Sequence, residues 1–302
     1  MAKRSVPVFQ VDVFTNRLFA GNPANVVLRA EQLAEHEMQE LARELNHSDS
    51  AFVLPAAAAD HDVWLRFFTP TREVGFVGHA SVAAHVARLA AGTGRTGRTR
   101  QNSRSGTFDV EISGSAAAPR VAITFPAPAL RAPIGDGVRR ELLDIFGLDS
   151  TALDSRCPLQ VLGRSSTRLF MGLRSAEQLN ALVPDFEALT RFTPHVGADG
   201  FFLFVRDAHG PGTSESRMFC PVIGIPEDPV SGNAHGMLGA YLVAHGLLPV
   251  KDGRAHLTGS QGRSMLRPGE VRVEVAVENG APTTVTMSGT ARIVYATEIN
   301  LD

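Results

Sequence analysis

One unit occurs twice in this chain, and it restricts the fold more than any other feature. Arg66-Phe67-Phe68-Thr69-Pro70 is followed by Glu73 and then by Gly78-His79-Ala80. Arg217-Met218-Phe219-Cys220-Pro221 is followed by Glu227-Asp228 and then by Gly232-Asn233-Ala234. Each copy reads as a strand, a loop bounded by proline, and a glycine that opens a helical pattern. The spacing from Phe to Gly differs, so the repeat is imperfect. A similar unit in each half predicts a pseudo-twofold protein with a cleft between its lobes.

The first turn of a helix leaves backbone N–H groups without intrahelical partners, and the helix dipole adds partial positive charge there. Glycine lets a ligand approach that backbone closely. Two such starts, at Gly78 and Gly232, can hold a carboxylate without an arginine. Either glycine alone reads as an ordinary turn residue; the duplication favours binding. Three side chains near these units are candidate acids or bases. Asp49, in His47-Ser48-Asp49-Ser50, either caps a turn or acts as a partly desolvated general base. His79, at a helix N-terminus where its cationic form is disfavoured, is either structural or a neutral donor or acceptor. Asp228 either orients its loop or is the acid or base opposite Asp49. Spacing alone does not rank these readings.

Length and composition bound the rest. With 302 residues the chain is long enough for two modest cores. Its formal net charge of -2 gives no support to a nucleic-acid surface or a polybasic membrane anchor. The most basic stretch, Thr93 to Gly106, has no aromatic residue for base stacking and reads as a solvated loop or hairpin. Two cysteines, Cys157 and Cys220, do not staple a chain of this length, so a reducing, cytoplasmic setting is expected. Cys220, Trp64 and Phe67 read as packing residues. The start lacks the apolar core of a signal peptide, and no apolar run reaches membrane-spanning length. The glycine-rich nucleotide fingerprints, the H-E-x-x-H zinc motif and the G-x-S-x-G elbow are all missing. No metal and no organic cofactor is therefore expected.

Periodicity predicts strands at Pro7 to Phe14, Ala24 to Leu28, Ser50 to Leu54, Val63 to Phe68, Phe108 to Ile112 and Arg120 to Phe125, with helices over Ala30 to Asn46 and Gly78 to Ala91. Pro126 to Pro133 reads as a linker. Beyond it come helices over Val138 to Phe146, Ala176 to Leu189 and Gly232 to His245. Strands are predicted at Arg168 to Leu173, Gly200 to Val205, Ser216 to Phe219, Val271 to Val277, Thr283 to Met287 and Ala291 to Thr297. The elements do not alternate as clean βαβ units, so an α+β fold with mainly antiparallel or mixed sheets is expected.

The chain resembles the PhzF-like isomerases of the phenazine-biosynthesis type, a branch of the diaminopimelate-epimerase fold. The resemblance runs nearly end to end. Val11-Asp12-Val13-Phe14-Thr15, Gly21-Asn22-Pro23-Ala24, Ser48-Asp49-Ser50-Ala51-Phe52-Val53 and the first repeat carry it. So do Gly224-Ile225-Pro226-Glu227-Asp228-Pro229, Ser231-Gly232-Asn233-Ala234, and Gln261-Gly262 with Arg267-Pro268. It implies two lobes, 1–130 completed by the C-terminal strand 288–302, and 131–287. Each would be a mixed sheet wrapped around a central helix, with the site between them. It also implies a cofactor-independent homodimer acting on a small carboxylic acid, with Asp49 as general acid/base and His79 and Asp228 lining the site. Backbone at Gly78, Gly232 and Asn233, beside Ser231, would hold the substrate carboxylate. Two positions depart from the phenazine enzyme: Asp49 stands where it has Glu, and Asn233 where it has Ser. Racemase relatives carry a cysteine at each helix start; here Val77 and Ser231 occupy those places, which favours one acid/base over two thiols. Lyase chemistry on another small acid, or a silent ligand-binding role, would use the same residues.

Overall fold

The computed structural model describes residues 4–115, 118–164 and 166–301. Contacts divide the chain into two units, Met1–Phe125 with Ser288–Asp302, and Pro126–Met287.

The first unit contains β1 (Ser5–Val13), β2 (Asn22–Val27), α1 (Glu35–Leu45), β3 (Ser50–Pro55), β4 (Val63–Phe68), β5 (Glu73–Val74), α2 (Gly78–Ala90), β6 (Gly97–Ser103), β7 (Gly106–Ser115) and β8 (Ala118–Pro126). The second contains β9 (Leu130–Pro133), α3 (Asp136–Phe146), β10 (Gln160–Gly163), β11 (Thr167–Leu173), α4 (Ala176–Ala181), α5 (Phe186–Val196), β12 (Phe201–Arg206), β13 (Thr213–Cys220), β14 (Ile225–Asp228), α6 (Gly232–Ala244), β15 (Arg254–Gln261) and β16 (Gly269–Glu278). A long strand, β17 (Ala281–Asn300), runs from the second unit into the first, where its last half pairs antiparallel with β1 from Ala291 to Asn300.

The repeat is far more complete in topology than in sequence. In the first unit β1 pairs antiparallel with β2, β2 parallel with β3, β3 antiparallel with β4, β4 antiparallel with β5 and parallel with β6, and β6 antiparallel with β7. The second unit repeats this sequence of pairings through β10, β11, β12, β13, β14, β15 and β16. In both, one helix follows the short strand: α2 packs on β1, β2 and β3, and α6 on β10, β15 and β16. Residues 78–87 of α2 are all buried, and α6 is buried on nearly every face. A helix that is apolar all round needs such an enclosure, and the small residues of both sequences let strands approach closely. The mixed α+β class follows the sequence reading.

Several elements differ from that reading. The helix predicted from Ala30 begins at Glu35, because Glu37 turns back to accept the Ala34 N–H at 2.7 Å. The helical pattern over Ala176 to Leu189 breaks into α4 and α5: Pro184 disfavours helical geometry at Val183, and Asp185 caps a new start by accepting from Ala188 N–H. The basic stretch forms the β6–β7 hairpin, and the proposed linker contains β9. The two tail strands at Thr283 and Ala291 are one strand. Phe67 and Cys220 are core residues, whereas Trp64 is half-buried.

Candidate active site

Within each repeat, the strand-borne arginine and the loop glutamate form one clip. Arg66 Nε and Nη2 donate to the two oxygens of Glu73 at 2.8 and 2.7 Å. Arg217 does the same to Glu227 at 2.9 and 2.8 Å. Each guanidinium also lies over the phenylalanine two residues on, 5.2 Å from the Phe68 ring and 4.9 Å from the Phe219 ring. From each clipped glutamate the helix glycine is five residues on, Gly78 after Glu73 and Gly232 after Glu227. Counted from the glutamate, the repeat has no gap; the extra residues of the second copy sit in the turn at Pro221–Ile223. The alignment pairs Val77 with Ser231, His79 with Asn233, and Ser81 with His235.

Both helix starts are built to present N–H groups. Neither α2 nor α6 has an acid in its first turn, and Val77 offers α2 no side-chain cap. Ser231 caps α6 only at Ala234. The carbonyl ahead of each helix glycine accepts two hydrogen bonds from the residue four positions on. Val77 O takes Ser81 N–H and Ser81 Oγ–H, both at 2.9 Å. Ser231 O takes His235 N–H at 3.1 Å and His235 Nδ1–H at 2.7 Å. A carbonyl polarised in this way strengthens the N–H on the other side of the same peptide, which is Gly78 or Gly232. Behind Ser81 a buried chain runs through Gln101 to His85, with Ser81 Oγ accepting from Gln101 Nε2 at 2.9 Å and Gln101 Oε1 lying 3.1 Å from His85 Nε2.

The first unit places Asp49 beside His79. Asp49 sits in the loop between α1 and β3 and is 6% exposed; its Oδ2 lies 3.6 Å from His79 Nε2. His79 is fully buried as a base, and burial, then the neighbouring His47, pushes its pKa down to about 3. It is therefore neutral at pH 7. The Asn22 side-chain amide donates to His79 Nδ1 at 3.4 Å, which leaves the ring proton on Nε2, toward Asp49. His79 Nε2 is buried and makes no hydrogen bond in this structure. Its counterpart in the second unit shares the property: Asn233 Oδ1 is buried without a partner. Buried polar atoms in native proteins are almost always satisfied, so two orphans at matching positions need an explanation.

In the second unit Asp228 ends β14 and is 9% exposed, three residues ahead of the α6 cap Ser231. The structure thus gathers Asp49, His79 and Gly78 in one unit and Asp228, Ser231, Gly232 and Asn233 in the other. Asn22 and Gln261 were not assigned roles from sequence, although both lie in motifs that carry the resemblance; no spacing rule links an asparagine on β2 to a histidine on α2. The cysteines are remote in character from nucleophiles. Burial raises the Cys157 thiol to about 12 and the Cys220 thiol to about 11, so both are protonated at neutral pH.

The chain thus combines a mixed α+β fold of two topologically repeated units with, in each, a buried helix whose glycine start is free of acids. A solved PhzF-family protein from Bacillus anthracis has this fold: it superposes with a TM-score of 0.87, at 24% identity, over 99% of this chain and 100% of that one. The chain belongs to the family described as phenazine biosynthesis-like protein (PhzC-PhzF), whose profile matches residues 11–297, and it is an isomerase of that family. The uncharacterized isomerase YddE of Escherichia coli is 38% identical over 292 residues, covering 96% of this chain and 97% of its own. The trans-2,3-dihydro-3-hydroxyanthranilate isomerase of Pseudomonas fluorescens is 34% identical over 240 residues, 78% of this chain and 79% of its own. Among the described residues no helix is long and apolar enough to cross a membrane.

Proposed function

We propose that this isomerase moves a proton between two carbons of a small unsaturated carboxylic acid, with Asp49 as the single acid/base and no cofactor. The observation that carries the reading is the buried His79 Nε2, without a hydrogen bond and 3.6 Å from Asp49 at a helix start with no acid in its first turn, a feature matched in the second unit by Asn233 Oδ1. A bound acid supplies what His79 lacks. In the first unit its carboxylate meets the polarised N–H groups at the start of α2, and a further polar group meets His79.

The chemistry balances without a co-reactant. The Asp49 carboxylate takes a proton from an activated C–H, so a C–H bond breaks and an O–H bond forms. The electron pair left behind shifts into the conjugated system and toward the substrate carboxylate. Asp49 then returns the proton to a different carbon, and the double bond has moved. His79, neutral and carrying its proton on Nε2, donates a hydrogen bond without adding a charge that would hold Asp49 permanently ionised. The helix-start N–H groups oppose the negative charge that develops between the two steps. In the second unit Asp228 is the carboxylate three residues ahead of Ser231, which caps the α6 start at Ala234. The Asp49 side chain is one methylene shorter than Glu, which favours an acid other than that of the Pseudomonas enzyme.

The test is turnover in deuterium oxide. The wild type is incubated with trans-2,3-dihydro-3-hydroxyanthranilate and with a panel of β,γ-unsaturated amino and hydroxy acids, with a chelator present. The account expects one deuteron at the new C–H position of at least one acid. Uptake that requires an added metal or nicotinamide, or no uptake in any acid, overturns it.

A further inference from the structure

We infer that Gln261 is a positioning residue of the second unit: its side-chain amide holds the Asp228–Ser231 loop in the form that presents Asp228 and the start of α6. Gln261 ends β15, opposite Ser216 on β13, and is 3% exposed. Its Oε1 accepts the Ser231 N–H at 3.1 Å, and its Nε2 donates to the Asp228 carbonyl at 2.6 Å. Both partners are backbone groups with fixed roles, one only a donor and the other only an acceptor, so the amide has one possible orientation. The side chain therefore does for this loop what a neighbouring strand does for a strand edge, closing it at both ends. The loop needs it, because Pro229 has no N–H of its own to contribute.

The chain just after Gln261 is shaped to the same loop. Gly262 has φ +91, and a Cβ there would lie 2.8 Å from the Pro229 carbonyl oxygen and 2.2 Å from that of Arg267. Only glycine permits this approach. Ser264 Oγ then donates to Glu227 Oε1 at 2.8 Å, so the segment grips the clipped glutamate as well. The far end of the loop is fixed by His235, which holds the Ser231 carbonyl through Nδ1 and faces Ser216 Oγ through Nε2 at 3.1 Å. Ser231 is thus held at its N–H by Gln261 and at its carbonyl by His235. Its hydroxyl remains for Ala234 and its following peptide, Gly232 N–H, for a ligand.

What the loop does for catalysis rests on the function proposed above; the clamp itself is tested without a substrate. Amide hydrogen exchange is followed residue by residue in the full chain. Gln261→Met has nearly the same shape and neither hydrogen bond. The expected result is that exchange at Ser231 quickens about 10-fold or more, the loss of one ordinary hydrogen bond, while the amides of Leu238 to Val243 inside α6 keep their rates. Protection at Ser231 equal to that of the wild type overturns the inference. Gln261→Glu covers the case in which the methionine variant does not fold. A glutamate there can still accept from Ser231, but it can donate to the Asp228 carbonyl only when protonated. Ser231 protection in that variant should fall as pH rises, opposite in sign to the loss that the buried histidines give the wild type on acidification, and a profile identical to the wild type again overturns the inference. With an acid of the unsaturated amino and hydroxy acid panel that the wild type labels in deuterium oxide, Gln261→Met should lower kcat at least about 10-fold and change KM less, since a slightly misplaced group costs rate more than binding. No turnover of any of those acids by the wild type would count against the proposed function and leave the exchange result to decide the clamp.

Discussion

His79, His85 and His235 are each buried and neutral, and their burial couples protonation to folding. Desolvation is the largest cause in all three, lowering the pKa to about 3, about 3 and about 4 respectively. In the unfolded chain each titrates near 6.5. A group whose folded pKa is depressed binds fewer protons in the native state, so its contribution is present above pH 6.5 and is lost as pH falls toward 3 to 4. The slope is at most about 1.4 kcal/mol per pH unit for each histidine. The melting temperature should therefore decline from about pH 6.5 downward, well above the window in which Asp154, held near 2 by Arg156 and Arg206 against its burial, would begin to lose its own contribution. Thermal melts from pH 7.5 to 4 check this; a melting temperature unchanged between pH 6.5 and 4.5 would contradict it. All three histidines were visible in the sequence, but only His79, beside a repeated glycine, stood out there. The tautomers of His79 and His85 are set by partners distant in sequence, Asn22 and Gln101, and that of His235 by the Ser231 carbonyl one turn back.

At the scale of elements, the two arginine–glutamate clips are alike in geometry but not in support. Glu73 keeps a second partner, Arg104 at 2.6 Å, if Arg66 is removed. Arg217 has further duties: it donates to the carbonyls of Leu179 and Leu182, at the end of α4, at 3.1 and 2.7 Å. Replacing Arg217 by Met leaves a half-buried carboxylate with only the neutral Ser264 hydroxyl and leaves two helix-end carbonyls without their guanidinium donor, a loss of roughly 3 kcal/mol or more, whereas Arg66→Met should cost clearly less. Urea unfolding of both variants gives the comparison, and a larger loss for Arg66→Met would contradict it. These clips also show what was legible. The strand, the proline-bounded loop and the helix glycine of each copy were readable because each has a local signal: alternation, a turn residue, an apolar helical run. The role of the glutamate was not, because its partner lies back across a hairpin. The α4–α5 break carried a signal in Pro184 and Asp185 that periodicity alone overran. β10 has no legible period because it is four residues long and ends in glycine, and β15 because its buried face carries Gly259 and Gln261 beside Ala255 and Leu257, which leaves its alternation little contrast in hydropathy.

At the scale of the whole chain, duplication explains why the class was readable and the substrate was not. The order of pairings from β1 to β7 recurs from β10 to β16, while the side chains of the two copies have diverged: Val77 against Ser231, His79 against Asn233, Ser81 against His235. The backbone device is kept, since both helix starts have a doubly bonded carbonyl ahead of the glycine. The chemical groups differ. Asp49 belongs to one half only. The central claim is that this carboxylate carries the proton, and the most direct test is Asp49→Asn, which keeps the shape and cannot accept a proton at neutral pH. With an acid that the wild type labels in deuterium oxide, the rate of label entry should fall at least about 100-fold in the variant, within the range general acid–base catalysis supplies, with the melting temperature and the affinity for that acid little changed. Label entering at near the wild-type rate in a folded Asp49→Asn protein would contradict the account and leave Asp49 as a turn-forming residue.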